Sequence, residues 1–281
     1  MGILWLASYP KSGNTWTRAF LANLFLNPPE PVDINKLSNL AFAEYRLEFY
    51  EQIARKPRTE ISDEELNQLR PKVQQLIAAS SPNTVFVKTH SAMGFTNEVP
   101  TIEPRVTEGG IYIVRNPLDV CVSYAHHVGI DYDQAIEAMR APMNQLSTTE
   151  TLAFNVLGSW SDHVTSWADA EGLNRLVLRY EDMHRQPEKA FGKLVKFLGL
   201  PKNEERLRRA ISFSSFKELS KQETKTGFIE KSKKADKFFR KGKTGGWRDE
   251  LSDAQAEQII NDHRAVMERY DYLTADGAPR F

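Results

Sequence analysis

The chain has 281 residues, 41% of them hydrophobic, and its 37 basic side chains balance 37 acidic ones. That apolar content supports a folded core, and a formal net charge of zero excludes a protein that coats nucleic acid through its overall field. The single cysteine, Cys121, excludes an internal disulfide framework and a cysteine-rich zinc site.

Short apolar segments along the chain predict strands, and amphipathic segments between them predict helices. In chain order, the predicted strands are Ile3–Ser8, Thr84–Lys88, Gly110–Arg115 and Arg175–Tyr180. The predicted helices cover Trp16–Leu24, Leu66–Ile77, Leu152–Trp167 and a last segment from Asp253 onward. This alternation favours an α/β fold, with a central, mainly parallel sheet flanked by helices. Because no internal repeat or low-complexity linker interrupts it, we expect a single domain over residues 1–281.

The start of the chain carries neither a basic leader nor a long apolar run. No segment approaches the ~18 consecutive apolar residues of a membrane-spanning helix, and Pro10 and Lys11 interrupt the first apolar segment early. We therefore expect a soluble protein of the cytoplasm, with neither a membrane nor a nucleic acid as its partner.

Residues 9–16 read Y-P-K-S-G-N-T-W and join the first predicted strand to the first predicted helix. The backbone N–H groups at such a helix start, with the positive end of the helix dipole, favour an oxyanion. Gly13 permits close backbone approach, Lys11 adds a full charge, and the hydroxyls of Ser12 and Thr15 add donors. In a Walker A loop, by contrast, the lysine follows the second glycine. The segment predicts a phosphate-binding strand–loop–helix; the alternative is an ordinary corner with a solvated lysine.

The same segment resembles the 5′-phosphosulfate loop of the cytosolic sulfotransferase family, which usually reads Y-P-K-S-G-T-T-W. Three further signatures follow in that family's order: residues 88–90 read K-T-H, residues 115–124 read R-N-P-L-D-V-C-V-S-Y, and residues 240–247 read R-K-G-K-T-G-G-W. The resemblance spans nearly the whole chain, from residue 3 to about 270. Four signatures in the family's order are far more specific than one.

The resemblance implies an enzyme that moves the sulfuryl group of 3′-phosphoadenosine 5′-phosphosulfate (PAPS) to a hydroxyl or amine of a small molecule by in-line displacement. It implies His90 as the general base, because a neutral imidazole accepts protons near pH 7. Lys11 would stabilise or protonate the leaving oxygen, and Lys88 would help to hold the sulfuryl oxygens. Ser123 would temper the catalytic lysine.

The family's donor-binding residues also have counterparts in this sequence. The implied set is Lys11, Ser12, Gly13, Asn14, Thr15, Trp16, Arg115, Ser123, Tyr180, Ser214, Phe216, Arg240, Lys241 and Gly242. Arginine suits the 3′-phosphate because its planar fork binds phosphate with two hydrogen bonds, and aromatic side chains suit the adenine. PAPS is then the co-substrate, and no metal ion is expected. An ion pair between Arg115 and Asp119, and a merely solvated basic segment over residues 217–248, are the alternatives.

Several positions depart from the family's pattern. Asn14 replaces a threonine and Gly246 replaces an aspartate, whereas Asp253 stands where a valine is usual in the family's dimerisation segment. A charge in a small buried interface is costly, so the oligomeric state stays open. His126 and His127 are expected at solvated helix positions rather than in a metal site, because adjacent helical side chains diverge by about 100°.

The implied donor-binding core lies around residues 3–24, 84–128, 174–182 and 214–248. We expect acceptor-recognition loops within residues 27–80 and 129–150. Steroids, phenols, alkyl alcohols, sugars and antibiotic-like molecules all use the same donor apparatus, so these signatures do not identify the acceptor. Two rival functions remain: a small-molecule kinase on a related nucleotide-binding fold, which would need Mg²⁺ and ATP, and a nucleotide-binding protein without catalytic activity.

Overall fold

The computed structural model describes residues 2–281. Its strands are β1 (Ile3–Ser8), β2 (Ala41–Ala43), β3 (Val85–Thr89), β4 (Phe95–Thr96), β5 (Val99–Pro100), β6 (Thr107–Val114), β7 (Gln145–Leu146), β8 (Asn155–Val156) and β9 (Arg175–Arg179). Its α-helices are α1 (Asn14–Leu26), α2 (Leu47–Ala54), α3 (Asp63–Ala79), α4 (Pro117–Val128), α5 (Tyr132–Arg140), α6 (Trp160–Ala168), α7 (Tyr180–Arg185), α8 (Pro187–Phe197), α9 (Glu204–Phe213), α10 (Phe216–Thr226) and α11 (Asp253–Arg269). Within the described residues, no helix combines the length and the apolar composition needed to cross a bilayer.

Five strands form a central, mainly parallel sheet in the order β2-β3-β1-β6-β9. Both β1 and β2 run parallel to β3, with Ile3 opposite Val85 and Ala7 opposite Thr89. All six residues of β1 are buried, as expected for a parallel strand covered on both faces. This register brings the carboxyl ends of β1 and β3 to the same edge, where loops of an α/β sheet bind ligands.

The α/β fold with its mainly parallel sheet and flanking helices is therefore confirmed. The prediction of β1 matches residue for residue, and the other predicted strands are displaced by one to three residues at an end. The three-residue edge strand β2 was not predicted, because so short a segment shows no period.

The four-turn helix predicted over Leu152–Trp167 is wrong in its first half. Residues 155–156 form strand β8, which pairs with β7, and helix α6 begins only at Trp160. Gly158 has a φ of 64°, which a helix does not tolerate, and Ser159 then caps α6 by accepting from the Asp162 N–H. The glycine–serine pair ends the strand and starts the helix, although the apolar spacing continues through both.

The chain divides into two compact units, each built from separate segments of the sequence. The first unit contains the chain up to Tyr9, Ala41–Tyr112 and Ala141–Val177, and the second contains Pro10–Leu40, Ile113–Arg140 and Leu178–Phe281. In the core of the first unit, the Trp167 ring stacks on Tyr112 with centroids 6.2 Å apart. In the second, Phe20 stacks on Phe191 at 4.0 Å. Because the segments alternate along the chain, neither unit is a continuous sequence domain.

Candidate functional site

The loop after β1 turns through two residues with left-handed backbone. Lys11 has a φ of 68° and Gly13, the N-cap of α1, has a φ of 107°. Left-handed backbone is uncommon for a residue other than glycine and persists where the surroundings impose it. A Cβ on Gly13 would lie 2.8 Å from the Tyr180 ring. The turn therefore requires glycine, and it leads into a helix whose first N–H groups have no partner inside the helix.

Three buried polar atoms at this loop lack hydrogen-bond partners in the part of the chain that the structure describes. They are Ser12 Oγ, Trp16 Nε1 and Arg115 Nε. An unsatisfied buried donor costs about 1–3 kcal/mol, so a group of such donors indicates a polar ligand. Acceptor oxygens or nitrogens of a bound nucleotide would satisfy them. The loop thus fits the oxyanion predicted from its sequence.

Arg115, which follows β6, connects this loop to the basic segment near the end of the chain. Its Nη1 donates to the Lys11 carbonyl at 2.9 Å, and its Nη2 donates to the Lys243 carbonyl at 3.3 Å. The guanidinium also lies 4.3 Å from the centroid of the Tyr180 ring. The structure thus brings residues 10–16 of the first signature together with the signatures at residues 115–124 and 240–247 within the second unit.

The alternative of an Arg115–Asp119 pair is not what the structure shows. The Asp119 carboxylate accepts from the backbone N–H of Gly245 at 2.8 Å and of Trp247 at 3.2 Å. Asp119 therefore fixes the end of the basic segment against α4, and the Arg115 guanidinium binds carbonyls instead.

A small cleft in the second unit contains three of the predicted residues. It is lined by Lys11, Ser123, His126, His127, Lys237, Phe238 and Arg240. The Lys11 Nζ lies 3.8 Å from the centroid of the Phe238 ring, so this aromatic face holds the ammonium group of the predicted catalytic lysine. No group of three or more His, Cys, Asp or Glu side chains in residues 2–281 is arranged to bind a metal ion.

Two of the three aromatic residues predicted for the adenine pack against one apolar cluster of the second unit. Trp16 and Phe216 are both half-buried against it, and Trp16 lies edge-on to Tyr180 at 5.5 Å between centroids. Gly242 has a φ of 58°, and its backbone lies so close to the Phe216 ring that a Cβ there would overlap the ring. The His184 Nε2 donates to the Gly242 carbonyl at 2.8 Å. Any side chain at position 242 would therefore displace Phe216.

Other side chains that were predicted to bind PAPS form hydrogen bonds within the protein. The Ser214 hydroxyl is fully buried and donates to the Ala210 carbonyl at 2.8 Å. Arg18 donates from Nε to Asn14 Oδ1 at 3.1 Å and from Nη2 to Thr15 Oγ1 at 3.0 Å. Asn14 and Thr15 therefore offer a ligand their backbone N–H groups, and the Thr15 hydroxyl keeps its own proton to donate.

Arg18 itself is a buried cation that the sequence analysis did not identify. It is 1% exposed, and its two Nη atoms donate to the Glu230 carboxylate at 2.8 and 2.7 Å. The Glu230 carboxylate is partly exposed, and Asn14 and Thr15 accept further hydrogen bonds from the buried guanidinium. This contact ties the basic segment to the first turns of α1.

The side chains of Arg240 and Lys241 converge on Glu250. Glu250 Oε1 accepts from Arg240 Nη1 at 2.9 Å and from Lys241 Nζ at 2.6 Å. Glu250 Oε2 accepts from the Tyr132 hydroxyl at 2.5 Å. Burial by itself would raise the pKa of the Glu250 carboxyl, but the hydrogen bonds from Lys241, Tyr132 and Arg240 hold this pKa far below its usual range. Glu250 is therefore a carboxylate at neutral pH.

His90 follows β3 in the first unit. Its Nδ1 lies 2.8 Å from the Ser8 carbonyl, which can only accept, so Nδ1 carries a proton, and in the neutral ring Nε2 carries the lone pair. The Tyr45 ring stacks beside His90 with centroids 6.3 Å apart, and the Lys88 Nζ lies 5.7 Å from the same ring. Lys88 and His90 therefore share one neighbour within this unit. The tautomer of His90 is the one that a general base requires.

Behind His90 lies His163 on α6. It is fully buried; its Nε2 donates to the His90 carbonyl at 2.9 Å, and its Nδ1 accepts from the Tyr112 hydroxyl at 2.8 Å. Burial lowers the pKa of His163 to about 4, so the ring is neutral at physiological pH. This chain of hydrogen bonds fixes the backbone from which His90 projects.

These supporting residues differ in the signal that they leave in the sequence. His163 was detectable, because it is a polar residue within the apolar stripe of Trp160, Val164 and Trp167 on α6. Arg18 was detectable for the same reason, because it is a charged residue on the buried face of α1. Glu250 gave no signal, since its partners Arg240 and Lys241 reach it only through the folding of the segment between them.

Comparison with known proteins identifies the family. The profile of the sulfotransferase domain family matches residues 3–271. Sulfotransferase 1C2 of Homo sapiens is 27% identical over 275 residues, which cover 94% of this chain and 83% of that protein. Flavonol 3-sulfotransferase of Flaveria bidentis is 27% identical over 273 residues, which cover 91% of this chain and 78% of that protein.

Solved structures share the fold at lower identity. Retinol dehydratase in complex with androsterone and the inactive cofactor PAP superposes with a TM-score of 0.66 at 22% identity, covering 98% of this chain and 83% of that chain. Mouse sulfotransferase SULT7A1 in complex with PAP gives a TM-score of 0.61 at 22% identity, and the match covers 96% of this chain and 85% of that chain. The predicted family, the fold class and the class of enzyme are thereby confirmed: the chain belongs to the sulfotransferase domain family.

Proposed function

We propose that this sulfotransferase moves the sulfuryl group of PAPS to a hydroxyl or amine of a small-molecule acceptor by in-line displacement. The observation that carries the proposal is the loop at residues 9–16, where partnerless buried donors surround a helix start beside Lys11 and Arg115. Such a set of donors and cations suits a nucleotide with phosphate-type groups. The relatives' names and the PAP in the solved structures support the same donor.

The residues proposed to bind PAPS belong to the second unit. When bound, PAPS supplies the sulfuryl group and a phosphate leaving group. The backbone N–H groups from Ser12 to Trp16 hold the 5′ end, and Arg115, Ser123 and Arg240 hold the 3′-phosphate, with Lys241 and Gly242 beside them. The Lys11 ammonium stabilises or protonates the leaving oxygen, and the Phe238 face keeps it in place. Trp16 and Phe216 hold the adenine between them, with Tyr180 at its edge.

His90 is the general base in this proposal. His90 keeps its proton on Nδ1 against the Ser8 carbonyl, so that Nε2 can take the proton of the attacking hydroxyl. Lys88 contributes a positive charge for the sulfuryl oxygens. We assign acceptor recognition to loops within residues 27–80 and 129–150, and the donor-binding core to the segments around 3–24, 84–128, 174–182 and 214–248.

The acceptor class is drawn from the relatives. One is a flavonol sulfotransferase, and the solved neighbour retinol dehydratase binds androsterone in one structure and retinol in another. These names favour an apolar molecule that carries a hydroxyl group. A protein that modifies such metabolites works where PAPS is available, and we place it in the cytoplasm.

A transfer assay tests the function. We expect radiolabelled sulfate from PAPS to appear on at least one member of a panel of phenols, steroid alcohols, flavonols and alkyl alcohols, with no loss of rate on addition of a chelator. A chelator-sensitive phosphoryl transfer from ATP would instead show a kinase. Binding of 3′,5′-adenosine bisphosphate without transfer to any acceptor, in a protein whose His90 is intact, would show a nucleotide-binding protein without activity.

A further inference from the structure

Arg240 and Lys241, which the proposed function assigns to the 3′-phosphate, already bind an anion of the protein itself. Both donate to the same oxygen of Glu250, at 2.9 and 2.6 Å. The Arg240 side chain also lines the cleft that contains Lys11 and Ser123. The two cations proposed to bind the ligand, Arg240 and Lys241, therefore already have a counter-ion, Glu250, within the second unit.

The Glu250 carboxylate resembles a phosphate in the features that arginine and lysine recognise. It is negatively charged, it presents oxygen acceptors, and its side chain is only 17% exposed, so water screens these contacts less than at an open surface. The Tyr132 hydroxyl fixes the second oxygen at 2.5 Å. The carboxylate is held in place from both sides and does not depend on the two cations alone.

A 3′-phosphate that binds Arg240 and Lys241 takes the two cations that this carboxylate already holds. The two anions would share Arg240 and Lys241 and would repel one another across a partly buried site. Either Glu250 gives up its contacts or the phosphate binds with the repulsion present. In both cases the negative charge of Glu250 weakens the binding of the phosphate.

We propose that Glu250 is an affinity-setting residue: an internal counter-anion that competes with the 3′-phosphate for Arg240 and Lys241, and so lowers affinity for donor and spent donor alike. The inference rests on the proposed function. Its consequence for turnover is faster departure of the bisphosphate product, since Glu250 takes back the two cations as the phosphate leaves. In an enzyme whose rate is limited by departure of the product, such a residue raises turnover.

Calorimetry with two nucleotides tests the role of Glu250. The ligands are 3′,5′-adenosine bisphosphate and AMP, which lacks the 3′-phosphate. For Glu250→Gln we expect the Kd of the bisphosphate to fall at least fivefold and the Kd of AMP to change less than twofold. Glu188→Gln is the matched control, because Glu188 pairs with Arg208 at an exposed surface of the same unit; its affinities should equal those of the wild type.

The outcomes separate the two proposals. If the wild type does not bind the bisphosphate, the proposed function fails, and this inference fails with it. If the wild type binds but Glu250→Gln binds no more tightly, or more weakly, Glu250 is a support for Arg240 rather than a competitor, and only this inference is overturned. Glu250→Ala gives a second measurement, with the same expected gain, should the glutamine variant unfold.

Discussion

At the level of single side chains, the position of one proton decides what His90 can do. The Ser8 carbonyl holds that proton on Nδ1, and the His163 Nε2 donates to the backbone carbonyl of His90. Each contact comes from a different segment of the first unit. The imidazole of His90 is therefore oriented without any ligand, as its proposed role as general base would require.

Replacement of His90 by alanine tests this role. We expect turnover to fall by at least about 100-fold, because general-base catalysis contributes that much or more. The Kd of 3′,5′-adenosine bisphosphate should stay within about twofold of the wild type, since the base acts on the acceptor. The measurements are the transfer assay and calorimetry on the same preparation. An equal loss in turnover and in nucleotide affinity would remove His90 from the role of base.

Single residues were predictable from the sequence where a motif fixes their place. Lys11 and His90 each lie within a signature just after a predicted strand, and in the structure they follow β1 and β3. Glu250 and Arg18 belong to no motif, and their partners are distant in sequence, so only the folded chain shows what they bind.

At the level of elements, the strand–loop–helix at the start of the chain was the most predictable part of the fold. The uninterrupted apolar run of β1 and the apolar spacing of α1 differ clearly, and Gly13 separates them. The segment over Leu152–Trp167 was less predictable, because its apolar spacing suits a helix throughout. Gly158 and Ser159 determined the outcome there through backbone conformation and capping, which the spacing of apolar residues does not report.

The need for glycine at the loop is testable with a pair of variants. Gly13→Ala places a Cβ in a left-handed backbone and against the Tyr180 ring, so we expect a loss of about 1–3 kcal/mol in the free energy of unfolding and weaker binding of 3′,5′-adenosine bisphosphate. Gly192→Ala on α8 is the control: outside its own helix backbone and chain neighbours, no atom lies within 4 Å of its Cβ position, and a stabilisation of about 0.5–1 kcal/mol is expected. Chemical denaturation measures both. Equal effects of the two substitutions would show that the loop does not need its left-handed glycine.

At the level of the whole molecule, the pH dependence of stability reports on the buried support of His90. The pKa of His163 is about 4 in the folded chain, against an ordinary value of 6.5. The unfolded chain therefore binds the proton more readily between these values, and stability falls as the pH is lowered through this window. Above about pH 6.5 the contribution is fully present; below about pH 4 it is lost.

Comparison with His163→Gln isolates this contribution from that of other buried groups such as Glu44 and Glu181. Glutamine keeps one acceptor and one donor but does not titrate. We expect the difference in unfolding free energy between wild type and variant to shrink by about 3 kcal/mol as the pH falls from 7 to 4. Denaturant titrations at a series of pH values measure it. Parallel curves for the two proteins would mean that His163 does not gain a proton on unfolding.

The central claim is that one nucleotide with phosphates at its 3′ and 5′ positions is held by the segments around Lys11, Arg115 and Arg240. A crystal structure of the protein soaked with 3′,5′-adenosine bisphosphate tests it most directly. The account predicts the 5′-phosphate on the N–H groups of residues 12–16 and the 3′-phosphate within hydrogen-bond distance of Arg115 and Arg240. A nucleotide bound elsewhere, or a 3′-phosphate that touches neither arginine, would contradict it.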